Sequence, residues 1–294
     1  MTEPLFDTIT IVGLGLIGSS VARGARVRRL ARRVVGYDLS PQVHARAKEL
    51  GFCDQIANTS AEAAKNAELV LIAVPVGATA DAVKLVAPHL ADGAILTEVG
   101  SVKAAVIRQV LKVLPEGAIF VPGHPIAGTE HSGPDAGFAE LFEGRWCILT
   151  PCERSSTEAV EKVAKFWKGL GSAVETMTPE HHDIVLAITS HVPHLIAFNI
   201  VGTAADVEEV TNSEVIKFSA GGFRDFTRIA ASDPVMWRDI FLQNREAVLE
   251  MLQRFSEDLT ALQRAIRWGE SDKLEELFTR TRGIRRSIIE ARQA

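Results

Sequence analysis

Two groups of residues have types and spacings that can do chemistry. The first is Gly13-Leu14-Gly15-Leu16-Ile17-Gly18, a G-x-G-x-x-G turn that follows an apolar, β-branched run and opens an Ala- and Val-containing stretch. In a strand-turn-helix unit, Gly13 permits the tight turn and Gly15 lets backbone approach a pyrophosphate. Gly18 lets the helix pack closely on the strand, and the helix N-terminus with Leu16 and Ile17 faces the phosphate charge. A second run, Val34-Val35-Gly36-Tyr37-Asp38, ends in a carboxylate about 20 residues past Gly18, where an acid hydrogen-bonds a ribose 2′-hydroxyl. Asp38 would repel a 2′-phosphate, so the pattern predicts NAD rather than NADP; Arg32 and Arg33 are the local reason to admit some NADP tolerance. Val74 and Pro75 end another strand at the carboxyl edge, where ligands of open α/β sheets sit, and Pro75 is expected to shape a loop over the cofactor.

The second group can react. Pro122-Gly123-His124-Pro125 follows a strand, which predicts His124 on a stiff loop at the active edge. An imidazole there suits removal of a hydroxyl proton as hydride departs; a structural histidine is the other reading. Ser101 is either a helix N-cap or a hydroxyl in the site. His191 and His194 stand three apart on a helix with Pro193 between them, expected to bend it. No third ligand has a metal-site spacing, so no metal is expected, and the two rings read as core histidines or as substrate contacts. Arg224 and Arg228 stand four apart beside a Gly pair, either a bidentate carboxylate receptor or exposed cations paired with Asp225 or Asp233.

The elements that must position these groups alternate. Strands are expected over 8–12, 34–38, 69–74, 94–98, 119–122, 146–149 and 173–175, with helices between them, the pattern of a parallel sheet. From Thr178 onward the apolar spacing is helical, and Thr178-Pro179-Glu180 supplies a start signal. The fold class is therefore α/β: a Rossmann-type dinucleotide-binding domain over 1–177, then an all-α domain over 178–294 for substrate binding and dimerisation. Phe241, Val248, Leu252, Phe255, Leu259, Leu262 and Ile266 form one face of a long helix, which suggests a homodimer.

Composition sets the outer bounds. The 294 residues are 47% hydrophobic and 23% charged, with a net charge of −5, which disfavours nucleic-acid or anionic-membrane partners and favours a small molecule. Three cysteines are too few for a disulfide framework, and the acidic N-terminus lacks the basic region of a signal peptide, so a reducing cytoplasm is expected.

Taken together, the glycine turn, Val99-Gly100-Ser101-Val102-Lys103, His124-Pro125-Ile126-Ala127-Gly128-Thr129-Glu130, Ser190-His191-Val192-Pro193-His194 and Gly221-Gly222-Phe223-Arg224-Asp225-Phe226-Thr227-Arg228 resemble the prephenate/arogenate (cyclohexadienyl) dehydrogenases of tyrosine biosynthesis along nearly the whole chain. The resemblance implies NAD-dependent oxidative decarboxylation. By that analogy His124 is the base, Ser101 orients His124 and the nicotinamide, Arg228 holds the ring carboxylate and His194 contacts the substrate side chain. Glu130, Arg224 and Asp225 would form an ionic network at the entrance, with Arg224 standing where the family often has Lys. No fused mutase or regulatory segment is expected, so inhibition by tyrosine would act at the active site. The alternatives are a β-hydroxyacid dehydrogenase, for which Lys217 is the candidate catalytic lysine, and a non-catalytic NAD-binding regulatory protein.

Overall fold

The computed structural model describes residues 3–129, 131–211 and 217–290. Eight strands form one sheet in the order β3-β2-β1-β4-β5-β6-β7-β8. They are β1 (Phe6–Val12), β2 (Ala31–Tyr37), β3 (Gln55–Ile56), β4 (Leu69–Ile72), β5 (Ile95–Glu98), β6 (Ile119–Pro125), β7 (Trp146–Leu149) and β8 (Ala173–Thr176). All seven strands read from the sequence are present, and the two-residue β3 is the addition. Pairing is parallel from β3 through β6, the order of a doubly wound dinucleotide fold, whereas β6 meets β7 antiparallel.

Alternation along buried strands divides the core into two layers. In β4, Val70 and Ile72 join the cluster of Val106, Val110 and Phe120 on one face; Leu69 and Leu71 join Phe142, Phe166 and Trp167 on the other. Helices α1 (Leu16–Val27), α2 (Pro41–Leu50), α3 (Ser60–Ala64), α4 (Thr79–Val86), α5 (Ala104–Leu111) and α6 (Thr157–Gly169) cover these faces. After β8 the chain is helical. Thr178 caps α7 (Pro179–Leu186) by accepting from His181 N at 3.2 Å, and Pro179 takes the first position, where its missing N–H costs nothing. A π turn over Ala187–His191 leads into α8 (Val192–Thr211), and the chain stays helical through Pro193, with the π turn accommodating the missing proline donor.

Next come α9 (Gly221–Thr227) and α10 (Pro234–Gln243), the latter capped by Asp233. Trp237 and Ile240 of α10 are part of the sheet's own apolar cluster. Consistent with that packing, the chain divides by internal contacts into one compact unit over Met1–Arg245 and another over Glu246–Ala294. The second unit contains most of α11 (Arg245–Trp268) and all of α12 (Ser271–Glu290).

The glycine turn shows why its residues are required. Gly13 has φ +93°, and a Cβ there would lie 2.5 Å from the Ala73 carbonyl oxygen; a Cβ on Gly18 would lie 1.9 Å from the Gly13 oxygen. A Cβ on Gly15 would meet nothing within 4 Å, so that position is open to a ligand. Gly18→Ala is therefore expected to lower the thermal midpoint by roughly 3–10 °C, while Gly15→Ala leaves it within about 1 °C. Equal midpoints for the two variants in differential scanning calorimetry would contradict this packing.

Candidate active site

The cofactor half is built largely from backbone. Gly15 is the N-cap of α1 and supplies no side-chain cap, which leaves the first-turn N–H groups available to an anion. Asp38 is fixed at the carboxyl end of β2: Oδ2 accepts from Leu14 N at 2.8 Å and Oδ1 from Ser40 N at 2.8 Å. A carboxylate has about four lone-pair sites, so acceptor capacity remains for a ribose diol. Asp38 lines a pocket with Gly13, Val74 and the exposed apolar Leu39 and Leu85, a surface suited to a flat base. Leu16, Ile17 and Val74 are half-buried around the turn, and Pro75 is exposed. These residues fit a dinucleotide.

Arg32 and Arg33, the local reason to admit some NADP tolerance, stand away from Asp38 and bond elsewhere. Six residues of extended chain, about 20 Å, separate Arg32 from Asp38. Arg32 lies 3.4 Å from Asp7 Oδ1 at the opposite edge of the sheet, and Arg33 bonds Gln55.

His124 departs from its sequence-based placement. It lies within β6 rather than on a loop, because β6 leaves β5 at Pro122 and continues over Gly123, His124 and Pro125 against Leu149, Ile148 and Cys147 of the antiparallel β7. The ring is buried, and its Nδ1 lies 2.8 Å from Nε2 of His182. His182 Nδ1 lies 2.9 Å from Asp183 Oδ1. That carboxylate also accepts Lys103 N at 2.8 Å and Ala104 N at 2.9 Å.

Asp183 therefore caps α5 from a distance. Ser101 is not its N-cap, which is Lys103. Ser101 is half-buried at the end of β5, and among the described residues its hydroxyl makes no hydrogen bond to His124, whose Nδ1 belongs to His182.

Beneath this row lies a fully buried ion pair. Lys103 Nζ bonds the Glu98 carboxylate and the Gly123 carbonyl at 2.6 Å, and Glu98 accepts Gly100 N at 2.8 Å and Gly123 N at 3.3 Å. Burial pushes Glu98 up and Lys103 down, each opposed by the partner's charge. Burial also holds His124 well below the ordinary imidazole value, reinforced by the positive potentials of His182, Lys103 and His191. His182 is lowered by burial against the pull of Asp183. Burial alone would raise Asp183, but the His182 contact and the two backbone donors hold it below the usual carboxylate value. The row is thus an anion followed by two neutral imidazoles.

The helical side brings His194 and Arg228 together. His194 donates from Nδ1 to Ser190 O at 2.8 Å and stacks on Trp237, with centroids 3.6 Å apart. Burial lowers its pKa, opposed by the Ser190 bond and aided by the Arg228 charge. His191 is buried against the edge of Trp237, with Asn244 Nδ2 3.0 Å from its Nδ1; Asn244 also donates to Asp183 O at 2.8 Å. Arg224 and Asp225 form an adjacent-residue pair at 3.3 Å with both side chains largely exposed, a geometry worth little. Glu130 lies outside the described residues. Lys217 is exposed over the Phe218 ring and does not occupy a buried catalytic position.

Residues 21–176 match the prephenate dehydrogenase nucleotide-binding domain, and residues 178–280 match the prephenate dehydrogenase dimerization domain. The chain belongs to the prephenate dehydrogenase family. It is similar to the cyclohexadienyl dehydrogenase of Zymomonas mobilis subsp. mobilis, with 42% identity over 284 residues and 97% of each chain covered. Among solved structures it is similar to Aquifex aeolicus prephenate dehydrogenase in complex with hydroxyphenyl propionate and NAD+. The TM-score is 0.89 at 34% identity, with 96% of this chain and 98% of that one covered. Synechocystis arogenate dehydrogenase follows with a TM-score of 0.81 at 27% identity, covering 96% and 99%.

For a member of this family, the sequence reading overlooked His182, Asp183, Glu98, Lys103, Trp237 and Asn244. The run Pro179-Glu180-His181-His182-Asp183 right after a cap signal was the available clue to the first two.

The buried imidazoles bind protons more readily in the unfolded chain, where the reference value is 6.5, than in the folded one, where His191 is lowered to about 4. The unfolded state takes up protons first on acidification, so stability present above pH 6.5 is lost as pH falls. His191 alone accounts for about 3 kcal/mol over that interval. The urea midpoint should fall between about pH 7 and about pH 4.5; a flat midpoint would contradict neutral burial of these rings.

Proposed function

We propose that this protein catalyses NAD-dependent oxidative decarboxylation of prephenate, arogenate or both. The observation that carries the reading is the commitment of His124 Nδ1 to His182, which leaves Nε2 as the ring's available base at the carboxyl edge of the sheet. The similarity to an enzyme solved with NAD+ and hydroxyphenyl propionate supports the same chemistry.

Bound NAD supplies the acceptor for the hydride that leaves C4 of the cyclohexadienol. The open face at Gly15 and the first turn of α1 hold its pyrophosphate, and Asp38 takes the ribose diol. Gly13, Gly18, Leu16, Ile17, Val74 and Pro75 shape the same cleft. His124 Nε2 accepts the C4 hydroxyl proton as the carbonyl forms. The bond from C1 to its carboxylate then breaks with its electron pair passing through the ring to the C4 oxygen, carbon dioxide departs, and that oxygen takes its proton back from His124 as the ring becomes aromatic. Arg228 holds that carboxylate, and His194, stacked flat on Trp237, meets the side chain. Ser101 orients the nicotinamide, and Arg224 and Asp225 line the entrance.

His124→Asn is expected to lower kcat by about 10²–10⁴-fold with KM little changed, whereas Arg228→Ala mainly raises KM. NADH formation with prephenate and with arogenate, each also tried with NADP, measures this; near-normal turnover in the first variant removes His124 from the base role. Substrate-dependent NADH formation from a 3-hydroxyacid instead would favour the hydroxyacid dehydrogenase reading.

The helical region 178–294 is proposed as the substrate-binding and dimerisation domain of a cytoplasmic homodimer. Ile184, Ile188, Ile200 and Val201 leave apolar surface exposed along α7, the π turn and α8, as a face awaiting a second copy would. Light scattering at micromolar concentration should give twice the chain mass of 31.9 kDa, and a monomer would contradict the assignment.

A further inference from the structure

Asp183, His182 and His124 form a hydrogen-bonded row whose polarity is set at one end. The Asp183 carboxylate accepts two backbone N–H groups at the start of α5, so it has no proton to give and receives one from His182 Nδ1. His182 is then a lone-pair acceptor at Nε2, and the only hydrogen that can fill the 2.8 Å gap to His124 sits on His124 Nδ1. One tautomer of His124 remains: protonated at Nδ1, basic at Nε2.

We propose that Asp183, acting through His182, is a positioning device that fixes the tautomer of His124 and supports the positive charge His124 acquires when it takes the substrate proton. The inference rests on the reading of His124 as the base. The site needs such a device because no other described side chain nearby is free to hold the ring. Glu98 and Lys103, facing it from β5 and the turn before α5, are bonded to each other and to the Gly123 backbone. Cys147, opposite on β7, has its thiol pushed up by burial and stays neutral. His191, across from the row, is tied to Asn244. His182 is thus the one described side chain bonded to His124. It is fully buried, so water cannot substitute for it. When His124 gains a proton, the imidazolium donates through His182 toward the carboxylate, and the new charge is partly matched by Asp183 without any group changing place.

The test uses a polarity swap at His182. His182→Leu keeps a buried side chain but removes the acceptor, leaving His124 Nδ1 without its partner and both tautomers open. His182→Gln restores a donor for Asp183 and an acceptor for His124. By analogy with the loss of tautomer control in serine-protease triads, His182→Leu should lower kcat by about 10²–10³-fold with KM within about threefold, and His182→Gln should recover at least about tenfold of that loss. Both proteins should still bind NAD. Turnover within threefold of the parent in His182→Leu would overturn the proposal, as would a folded His182→Gln no better than a folded His182→Leu.

Independently of turnover, 15N spectra of histidine-labelled protein, with His124 assigned through His124→Gln, should show the parent proton on Nδ1 and a lone pair at Nε2. A proton on Nε2 would overturn the proposal whatever the variants do. A parent inactive on prephenate and arogenate but carrying the expected tautomer would instead remove the functional reading and leave the positioning device standing.

Discussion

The buried pair of Glu98 and Lys103 is the constraint on which the site depends. Both side chains have almost no exposure, and two charges at that depth persist only when every donor and acceptor is matched. The matching groups come from three places: the Gly100 amide after β5, the Gly123 amide, and the Gly123 carbonyl one residue before His124. The pair therefore pins β6 at the residue where it changes from a parallel partner to an antiparallel one. Loss of either member would leave an uncompensated buried charge, at a cost of about 3–5 kcal/mol, and would free the backbone that carries the base.

A second consequence concerns how the helical part is joined to the sheet. The N-terminal amides of α5 need acceptors, and the carboxylate that takes them comes from α7, about 80 residues later. Asn244, at the end of α10, closes the same region by bonding the Asp183 carbonyl and His191. Trp237 joins the sheet's core while presenting one ring face to His194 and an edge to His191. This explains why the compact unit runs to Arg245 although the strands stop at Thr176.

Legibility in the sequence followed the range of the interactions. The glycine turn, Asp38 and the strands of β-branched residues were readable because their requirements are local: a steric clash at Gly18, a carboxylate at a strand end, a period of two. The strand β3, with two residues, carries too little pattern to be seen. His124 was placed on a loop because Pro122, Gly123 and Pro125 are turn residues by composition, whereas the partner that makes them a strand lies over 20 residues downstream in β7. Ser101 stood where a cap was needed, but the cap came from Asp183 on another element. Adjacent His182 and Asp183 carry no local sign of their role, since nothing in the nearby sequence shows that both are buried.

The two halves of the site accordingly meet different physical demands. The cofactor half recognises a ligand through backbone amides and one tethered carboxylate, so its precision comes from glycines that permit close approach and from a rigid parallel sheet. The reacting half must hold neutral bases in a buried setting where imidazolium is disfavoured, yet must let one of them become charged during turnover. A carboxylate placed two rings away reconciles these demands: it is anchored by helix-terminal amides, so it remains an anion, and it is far enough from Nε2 to leave that nitrogen free for substrate. Had Asp183 been bonded directly to His124, more of the ring would be protonated at rest and unavailable to take the substrate proton; with His182 between them, the tautomer is still fixed while the charge reaches the ring only in part.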